Sequence, residues 1–314
     1  MNPHSRSRQQ NLPAVPVCPD CGSRDPNCVG DVISFGQFAG GLLIDGSRSH
    51  GCVYSCAVCA LVFKFPAIDA ESALRLYNES SGGVWSGSAA RPEFEFAREI
   101  LNQSIGLRPL VLDVGCNRGE FLRSLPPETA KFGVEVNENA AVLARQQGVQ
   151  VWDSVEAIPE DHLFDMVTCF DVVEHVRTPS AFLRQLVRLL KPGGFLVLSS
   201  GDASFFLSQF RPSRNWYFSN PEHVSFISRK WLAGCIAGIS GCAVRKATNF
   251  LHGRRHDGIV ARVKIFLYKL SPRVYLGVYR ALKRLAGSRG ALFVPGNGSS
   301  QDHLCVLIQR ASVG

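Results

Sequence analysis

A strand-like run followed by a glycine-rich turn, at residues 110–125, constrains the fold most strongly. The apolar residues 110–112 lead into Asp113, the turn Gly-Cys-Asn-Arg-Gly follows at 115–119, and a helix-like segment comes next. Glycine is required where the backbone takes positive φ or where a ligand lies against the chain. The start of a helix adds unpaired amides that face such a ligand. The pattern therefore predicts a strand, a loop and a helix that together bind a nucleotide-like cofactor.

An acidic residue follows at the place where a second strand would end. In open α/β folds, an acid about 20 residues beyond such a loop accepts hydrogen bonds from ribose hydroxyls. The segment Lys-Phe-Gly-Val-Glu at 131–135 ends in Glu135, which fits this role. The loop itself lacks the G-x-G-x-x-G spacing of dinucleotide-binding proteins.

The loop instead resembles motif I of the class I S-adenosylmethionine-dependent methyltransferases, and further matches follow in the family's order. Asp153-Ser154 follows a third strand-like run, and Phe164 to Phe170 forms a fourth that leads into Asp-Val-Val-Glu-His. A helix, a Lys-Pro-Gly-Gly turn and a fifth strand complete the pattern by residue 199. Such a series is more specific than any one match. The resemblance implies an α/β, Rossmann-like fold with the seven-stranded sheet of this family.

The resemblance also implies S-adenosylmethionine as the cofactor. In the family the loop approaches the methionine and ribose end, the acid after strand two binds the ribose, and the polar pair lies near the adenine. Asn117 departs from the family, which usually has glycine there. Because asparagine tolerates left-handed backbone better than other non-glycine residues, we expect binding to survive. The implied cofactor residues are Asp113, Gly115, Cys116, Asn117, Gly119, Glu135, Val136, Asp153, Ser154 and Asp171.

Two C-x-x-C pairs near the amino terminus predict a structural zinc ribbon at residues 18–66. Paired thiolates on two turns suit tetrahedral zinc and leave no open position for catalysis. The gap between the pairs is longer than usual, so Cys28 and Cys52 are competing ligands, and a chance pairing of core cysteines stays open. The segment resembles the amino-terminal zinc module of certain sugar-modifying methyltransferases. The predicted ligands are Cys18, Cys21, Cys56 and Cys59.

A second stretch, at 216–228, follows the fifth strand and resembles the acceptor-side segment of ubiquinone-type O-methyltransferases and their glycan-pathway relatives. Methylation of a sugar hydroxyl, or of a carbon next to a carbonyl, requires that a proton leaves the acceptor. Histidine, with a pKa near neutrality, is the natural carrier. The catalytic candidates are His223 in this stretch and His175 just after strand four. A purely structural role for either histidine stays open.

The remaining segments complete the predicted organisation. Strands six and seven fall at 242–248 and 303–309, and a helical insertion separates them. The loop that contains Trp85 is either a lid over the site or a mobile linker. The predicted parts are a disordered tail at 1–17, the zinc ribbon at 18–66, linker or lid helices at 67–105, and a methyltransferase domain at 106–312 with a basic helical insertion at 251–301.

Positive charge is concentrated in that insertion. Residues 251–290 hold ten Lys or Arg and one acid, Asp257, so they carry +9, whereas the whole chain carries +8 and the remainder is close to neutral. Apolar periodicity predicts two amphipathic helices in the segment. Their basic residues either face water or contact an acidic acceptor or an anionic membrane. Because each contributes about 1 kcal/mol near an anionic leaflet, a few would permit reversible attachment.

Composition predicts a cytoplasmic protein, peripheral at the inner face of the membrane if the basic segment binds lipid. The chain contains no run of 18 uncharged apolar residues and no apolar signal core at its start. Eleven cysteines could suggest disulfides. Several of them, including Cys169, Cys242 and Cys305, lie in apolar strand-like runs, where buried free thiols are common and a reducing compartment fits better.

The leading functional prediction is a methyltransferase that acts on a hydroxyl or carbon of a small-molecule or glycan acceptor. An RNA methyltransferase with an RNA-binding ribbon is the alternative, but the near-neutral remainder of the chain argues against nucleic acid. Methylation of base amines usually requires an Asn-Pro-Pro-Tyr-like loop, which Phe-Asp-Val-Val-Glu-His replaces here. A non-catalytic scaffold that binds the cofactor is the second alternative.

Overall fold

A computed structural model describes residues 15–33, 50–79, 91–104, 106, 108–209, 211–250, 278 and 302–312. These residues form a seven-stranded mixed sheet with helices and a four-stranded antiparallel sheet. Most of the predicted tail, the Trp85 loop and nearly all of the basic insertion lie outside the described residues. The predictions made for those three segments, and the predicted domain boundaries, remain predictions.

The elements follow the predicted order. The strands are β1 (Asn27–Ile33), β2 (His50–Ser55), β3 (Val62–Phe65), β4 (Leu110–Val114), β5 (Ala130–Val134), β6 (Gln150–Trp152), β7 (Phe164–Phe170), β8 (Leu190–Gly201), β9 (Ser225–Phe226), β10 (Cys242–Phe250) and β11 (His303–Arg310). The α-helices are α1 (Ala70–Glu79), α2 (Pro92–Ser104), α3 (Glu120–Arg123), α4 (Glu138–Gln146), α5 (Pro179–Arg188), α6 (Ala203–Gln209), α7 (Trp216–Ser219) and α8 (Arg229–Ala237).

The seven-stranded sheet has the order β10-β11-β8-β7-β4-β5-β6. Its five strands from β8 to β6 are parallel, whereas β11 runs antiparallel to both β8 and β10. The predicted α/β class with seven strands is confirmed, and the predicted strands six and seven are neighbours. The strand order reverses at β4, because β5 lies on one side and β7 on the other. In open α/β sheets, ligands bind at the carboxyl ends of the strands at such a reversal.

Both faces of this sheet are covered, so its central strands are apolar on both sides. Alternate residues of β4 point to opposite cores: Leu112 packs with Leu186 of α5 and Trp231 of α8. Val111 packs on the other face, with Phe94 of α2 and Phe121 of α3. The apolar face of α2 is therefore turned toward the sheet. This packing fixes the edge of the sheet from which the glycine loop emerges.

Residues at the amino-terminal ends of several helices stabilise the first turn. Asn137 caps α4 by accepting from the Ala140 amide at 2.9 Å, and Ser228 caps α8 by accepting from the Trp231 amide at 3.2 Å. Pro179 opens α5, at the position where a missing amide costs nothing. The predicted Lys-Pro-Gly-Gly turn differs slightly, since it lies inside β8 as an irregularity in the pairing with β7.

The four-stranded sheet has the order β1-β2-β3-β9, and all of its pairs are antiparallel. Strands β2 and β3 flank the second C-x-x-C pair. Strand β9 comes from the acceptor-side stretch, and its register places Val62 opposite Phe226 and Phe63 opposite Ser225. The sheet therefore combines chain from the predicted ribbon and from the predicted methyltransferase domain.

Gly115 provides a stability test of the loop. It has φ 79°, and a Cβ there would overlap Cγ2 of Val172. We expect Gly115→Ala to destabilise the protein by about 2–4 kcal/mol, from about 1–2 kcal/mol of backbone strain and the rest from the overlap. Gly148→Ala is the matched control, because Gly148 has φ 80° with no atom within 4 Å of its Cβ position. Urea unfolding measures both, and equal losses would contradict the close packing of the loop on Val172.

Candidate active site

The glycine loop leaves β4 at the reversal of the sheet and adopts the predicted left-handed conformations. Gly115, Asn117 and Gly119 have φ 79°, 48° and 78°. The amides of Gly115 and Cys116 donate to the Val134 carbonyl at 2.8 and 3.0 Å, which ties the loop to the end of β5. Asparagine therefore supports the backbone shape that glycine would supply at this place.

Glu135, which directly follows β5, closes the loop from the other side. Its Oε2 accepts from the Asn117 amide and its Oε1 from the Asn137 amide, both at 2.8 Å. Burial raises the pKa of Glu135 above its ordinary value, although these amides oppose the shift. The buried Oδ1 of Asn117 has no hydrogen-bond partner among the described residues. A cradle that combines a buried carboxylate with an unused acceptor fits a ligand with hydroxyl groups.

The other predicted cofactor residues are spread along the same edge. Asp113 is buried and accepts from Thr168 Oγ1 at 2.7 Å, and burial raises its pKa to about 7. Asp113 thus joins β4 to β7 rather than bonding to the loop. Cys116 is buried beneath the loop and Val136 is largely exposed. Asp153 and Ser154 follow β6, where Ser154 precedes a 3-10 turn.

Asp171, the last predicted cofactor residue, forms an ion pair with Arg91 just before α2. Arg91 also binds Glu93, with a 2.6 Å bond from Nε. Nε2 of His303 lies 3.7 Å from Oδ1 of Asp171, and its Nδ1 lies 3.1 Å from Asp302. Burial opposes protonation of His303, but the bond to Asp302 and the charge of Asp171 raise its pKa above the ordinary value. Asp171 is therefore held by the Arg91 guanidinium and by the His303 ring, which come from distant parts of the chain.

The two candidate histidines, far apart in sequence, are brought together. His175 ends a 3-10 turn after β7 and His223 precedes β9, and their ring centroids lie 5.0 Å apart. Nδ1 of His223 lies 2.9 Å from the Tyr217 carbonyl. Since a carbonyl only accepts, this nitrogen carries the hydrogen and Nε2 carries the lone pair. Asn220 Nδ2 lies 3.5 Å from Nε2, on the side of the ring that can accept a proton.

His175 has its own partners on the acceptor side. Its Nδ1 lies 2.6 Å from the Tyr77 hydroxyl of α1 and 3.2 Å from the Glu222 carbonyl. Burial lowers the pKa of His175 to about 4. Burial, and then the neighbouring His175 and Lys64, lower the pKa of His223 well below its ordinary value. Both rings are therefore neutral near neutral pH and able to accept a proton.

A buried carboxyl group completes this cluster. Glu174 accepts from Ser200 Oγ at 2.9 Å, and the Tyr217 hydroxyl lies 3.0 Å from the same Oγ. Burial, and then the charge of Asp171, raise the pKa of Glu174 to about 8. One ligand atom from each of Glu174, His175 and His223 lies within 4.8 Å of the others. These ligand types also occur in metal sites, but the nearby Lys64 ammonium disfavours a cation, so proton transfer fits the trio better.

Several of these groups were not among the predicted site residues. They are Lys64, Tyr77, Arg91, Tyr217 and His303. One signal was available for His303: because β11 runs antiparallel to its neighbour, its first residue lies at the carboxyl edge of the parallel strands. Tyr217 lies in the acceptor-side stretch at 216–228, whereas Lys64, Tyr77 and Arg91 come from segments whose sequence carries no motif for this chemistry.

The four predicted zinc ligands form one cluster. Their sulfur atoms all lie within 4.8 Å of one another, with Cys18 to Cys59 at 3.6 Å and Cys21 to Cys56 at 3.5 Å. Tetrahedral zinc with bonds of about 2.3 Å separates its sulfurs by about 3.8 Å. Each pair lies on an equivalent turn, closed by 2.9 Å amide bonds from Gly22 to Cys18 and from Ala60 to Cys56. The cluster is compatible with a zinc ribbon.

The two competing cysteines lie outside this cluster. Cys28 is exposed on β1, and Cys52 on β2 donates to Asp31 Oδ1 at 3.1 Å. The pairing of β1 with β2 places Cys28 opposite Tyr54 and Cys52 opposite Asp31, outside the cluster of four sulfur atoms. The ligand set with two C-x-x-C pairs is therefore the one that the structure assembles.

The fold and the arrangement of its carboxyl edge define a class I S-adenosylmethionine-dependent methyltransferase domain. Residues 89–239, just under half of the chain, match the family described as "Methyltransferase domain". The matched region includes the glycine loop, Glu135, both histidines and α8. The predicted family resemblance is confirmed.

Curated relatives match part of the chain at moderate identity. The ubiquinone biosynthesis O-methyltransferase of Bordetella avium is 32% identical over 116 residues, which cover 34% of this chain and 47% of that protein. The enzyme of the same name from Escherichia coli O9:H4 is 32% identical over 127 residues, which cover 36% and 49%. The chain thus spans about half the length of these relatives.

Solved structures with similar architecture include the plantazolicin methyltransferase BpumL in complex with SAH. Its TM-score is 0.44 at 12% identity, and the match covers 79% of this chain and 92% of that one. The YcgJ protein from Bacillus subtilis has a TM-score of 0.45 at 17% identity, with 71% and 99% covered.

Within the part of the chain that the structure describes, no helix combines the length and apolar character needed to cross a bilayer.

Proposed function

We propose that this chain is an S-adenosylmethionine-dependent methyltransferase that methylates a hydroxyl or a carbon of a small-molecule or sugar-type acceptor. The observation that carries this proposal is the neutral histidine pair at the edge of the sheet, with a lone pair on His223 Nε2. The match of residues 89–239 to methyltransferase domains supports the reaction class. The names of the curated relatives support a hydroxyl as the first acceptor group to test.

The cofactor half of the site is the glycine loop with Glu135. When bound, S-adenosylmethionine supplies a methyl group on a positively charged sulfur. Asn117 and Glu135 would hold the ribose hydroxyls, and the polar pair after β6 would lie near the adenine. Methyl transfer is an in-line displacement, so most of the catalytic effect comes from the positions of the two reactants. The loop follows β4 and His175 follows its neighbour β7, which suits such a geometry.

The acceptor half of the site is built to remove a proton. An amine attacks without a strong base, whereas a hydroxyl or a carbon next to a carbonyl is weakly acidic and must lose a proton. His223 Nε2 accepts that proton, and the Tyr217 carbonyl stabilises the imidazolium through Nδ1. His175, bonded to Tyr77, orients the acceptor group or passes the proton on. A buried histidine pair therefore favours oxygen or carbon acceptors over amines.

The remaining parts of the chain have proposed roles of their own. Cys18, Cys21, Cys56 and Cys59 would hold one structural zinc ion. The +9 segment at 251–290 suits reversible contact with an anionic membrane, where lipid-linked or apolar acceptors reside. An RNA acceptor remains the competing proposal, because the same segment could bind phosphates.

The proposal is tested by incubating the protein with methyl-labelled S-adenosylmethionine and an extract of its source cells. The labelled product is divided by treatment with nuclease. We expect label that survives nuclease and travels with small molecules, sugars or lipid-linked glycans. Label that is lost on nuclease treatment would indicate that the acceptor is RNA. The absence of any labelled product would support a non-catalytic scaffold.

Glu135 gives a separate test of the cofactor half. Glu135→Gln removes the charge that organises the amides of Asn117 and Asn137, and we expect the Kd for S-adenosylmethionine to rise at least about tenfold, from the loss of one charged hydrogen bond. Isothermal titration calorimetry measures this. Glu138→Gln is the matched control, because Glu138 is exposed and pairs with Arg145. Wild-type affinity in Glu135→Gln would count against this cofactor site.

A further inference from the structure

Lys64 is a lysine of the ribbon sheet whose side chain is buried on the acceptor side of the methyltransferase domain. It lies on β3, opposite Val53, and is only 5% exposed. A buried ammonium costs free energy unless it is hydrogen-bonded or paired. A lysine at such a position therefore has partners that offset this cost, and they indicate what it does.

The partners of Lys64 lie at both ends of the turn that carries His223. Its Nζ donates to the Asn220 carbonyl, and its backbone amide donates to the Val224 carbonyl at 3.0 Å. Between these two points lies His223, whose own amide donates to the Asn220 carbonyl at 3.3 Å. One ribbon residue thus holds the first and last carbonyls of the turn.

The ribbon is itself fixed to the methyltransferase domain, so it can serve as a support. Asp20, inside the first C-x-x-C pair, accepts from the Ser180 amide at 2.8 Å and from Trp231 Nε1 at 2.9 Å. Strand β9, which directly follows the turn, pairs antiparallel with β3. Cys18 and Cys56 belong to the same apolar core as Trp231. The position of Lys64 is therefore set by the cysteine module and not by the cofactor loop.

The charge of Lys64 also acts on the groups around it. Burial lowers its pKa to about 7, and the carboxylate of Glu222 opposes that shift. In turn the ammonium lowers the pKa of His223 and, as a smaller effect, that of His175. A neutral His223 is the form that accepts a proton.

We propose that Lys64 is a positioning residue for the methyl-transfer reaction: it holds the 220–224 turn so that His223 Nε2 faces the acceptor. This inference rests on the proposed function. It implies that the cysteine module, through Lys64, helps to position the acceptor site. The acceptor is then recognised by a surface that the ribbon completes.

The test compares Lys64→Met, Lys64→Arg and the wild type in the full chain. Lys64→Met keeps the apolar stem and removes the donor, and we expect kcat/KM for the acceptor to fall by up to about 100-fold, the cost of a small misplacement. The Kd for S-adenosylmethionine stays at the wild-type value. Lys64→Arg keeps a donor and a charge and restores part of the rate. Lys191→Met is the matched control, because Lys191 pairs with Asp165 at the opposite end of β7.

A second readout does not depend on activity. The pKa of the His223 ring is measured by NMR titration. The titratable groups that face this ring are Lys64 of β3, His175 and Glu174 of the turn after β7, Asp171 at the end of β7 and Tyr217 of α7. Loss of the ammonium moves the His223 titration to higher pH in Lys64→Met, and Lys64→Arg keeps it low. A residue that only stabilised the fold would leave this titration in place.

The two proposals fail in different ways. If the wild type transfers no methyl group, the proposed function fails while the titration of His223 still reports on Lys64. If Lys64→Met shows wild-type kcat/KM and an unmoved titration, the inference about Lys64 is wrong. Should Lys64→Met not fold, Lys64→Gln removes the same charge and predicts the same upward movement.

Discussion

Replacement of His223 by glutamine is expected to lower kcat for methyl transfer by about 10²–10⁴-fold, the usual contribution of a general base. The Kd for S-adenosylmethionine is expected to stay within about twofold, because no described bond joins His223 to the glycine loop or to Glu135 and the two halves bind separately. Glutamine keeps a donor toward the Tyr217 carbonyl, so the turn is retained and only the proton acceptor is lost. Steady-state kinetics with the identified acceptor measure kcat, and calorimetry measures cofactor affinity.

The same histidine is expected to set the pH dependence of methyl transfer. The base acts in its deprotonated form, and burial lowers the pKa of His223 well below the ordinary 6.5. Activity is therefore retained as pH falls through 6.5 and declines only at more acidic values. The acidic limb of kcat/KM disappears in His223→Gln.

His162→Gln serves as the control for His223, because His162 precedes β7 at the opposite end of that strand from Asp171. It packs against Phe132 and Phe164 and contacts neither histidine of the pair. We expect its kcat to stay near the wild-type value. A similar loss in both variants, or wild-type kcat in His223→Gln, would remove His223 from the reaction.

Replacement of Cys56 by serine is the change with the largest expected effect on stability. Cys56 is 1% exposed and shares a core with Leu61, Phe63 and Trp231. Serine removes one of four thiolates and leaves a hydroxyl in apolar surroundings. We expect bound zinc to fall below half an equivalent and the free energy of unfolding to fall by about 3–5 kcal/mol, as for lost metal sites. Elemental analysis and urea unfolding measure the two quantities.

Cys28→Ser is the matched control for this change. Cys28 is exposed on β1 and lies outside the cluster of four sulfurs. Its replacement should alter stability by no more than about 0.5 kcal/mol, as for most surface substitutions. If the wild type binds no zinc, the four cysteines are ordinary core thiols, and the smaller loss expected of Cys56→Ser would then reflect only a buried hydroxyl.

Local features of this protein were predictable because their causes are local. Gly115 and Gly119 take positive φ since only glycine does so cheaply, and Asn117 was expected to follow them. The apolar runs of β4 and β7 predicted buried parallel strands, and the order of the motifs then predicted the sheet. The spacing of the C-x-x-C pairs predicted the four-sulfur cluster in the same way.

Features that depend on packing between distant segments could not be predicted. His175 and Tyr77 are 98 residues apart, and Lys64 and Asn220 are 156 apart. The pairing of β3 with β9 brings Lys64 to the turn. Because β9 has only two residues, its sequence does not indicate the strand with which it pairs. The tautomer of His223 likewise could not be predicted, because it follows from the hydrogen bond between Nδ1 and the Tyr217 carbonyl, and the fold determines where that carbonyl points.

We propose that Glu135 and the glycine loop hold the cofactor while His223 removes a proton from the acceptor. The most direct test is a single-turnover measurement, in which the wild type and His223→Gln are each loaded with methyl-labelled S-adenosylmethionine and mixed with the acceptor fraction. We predict that both proteins carry bound label and that only the wild type transfers it at an appreciable rate. Equal transfer by His223→Gln would contradict the account.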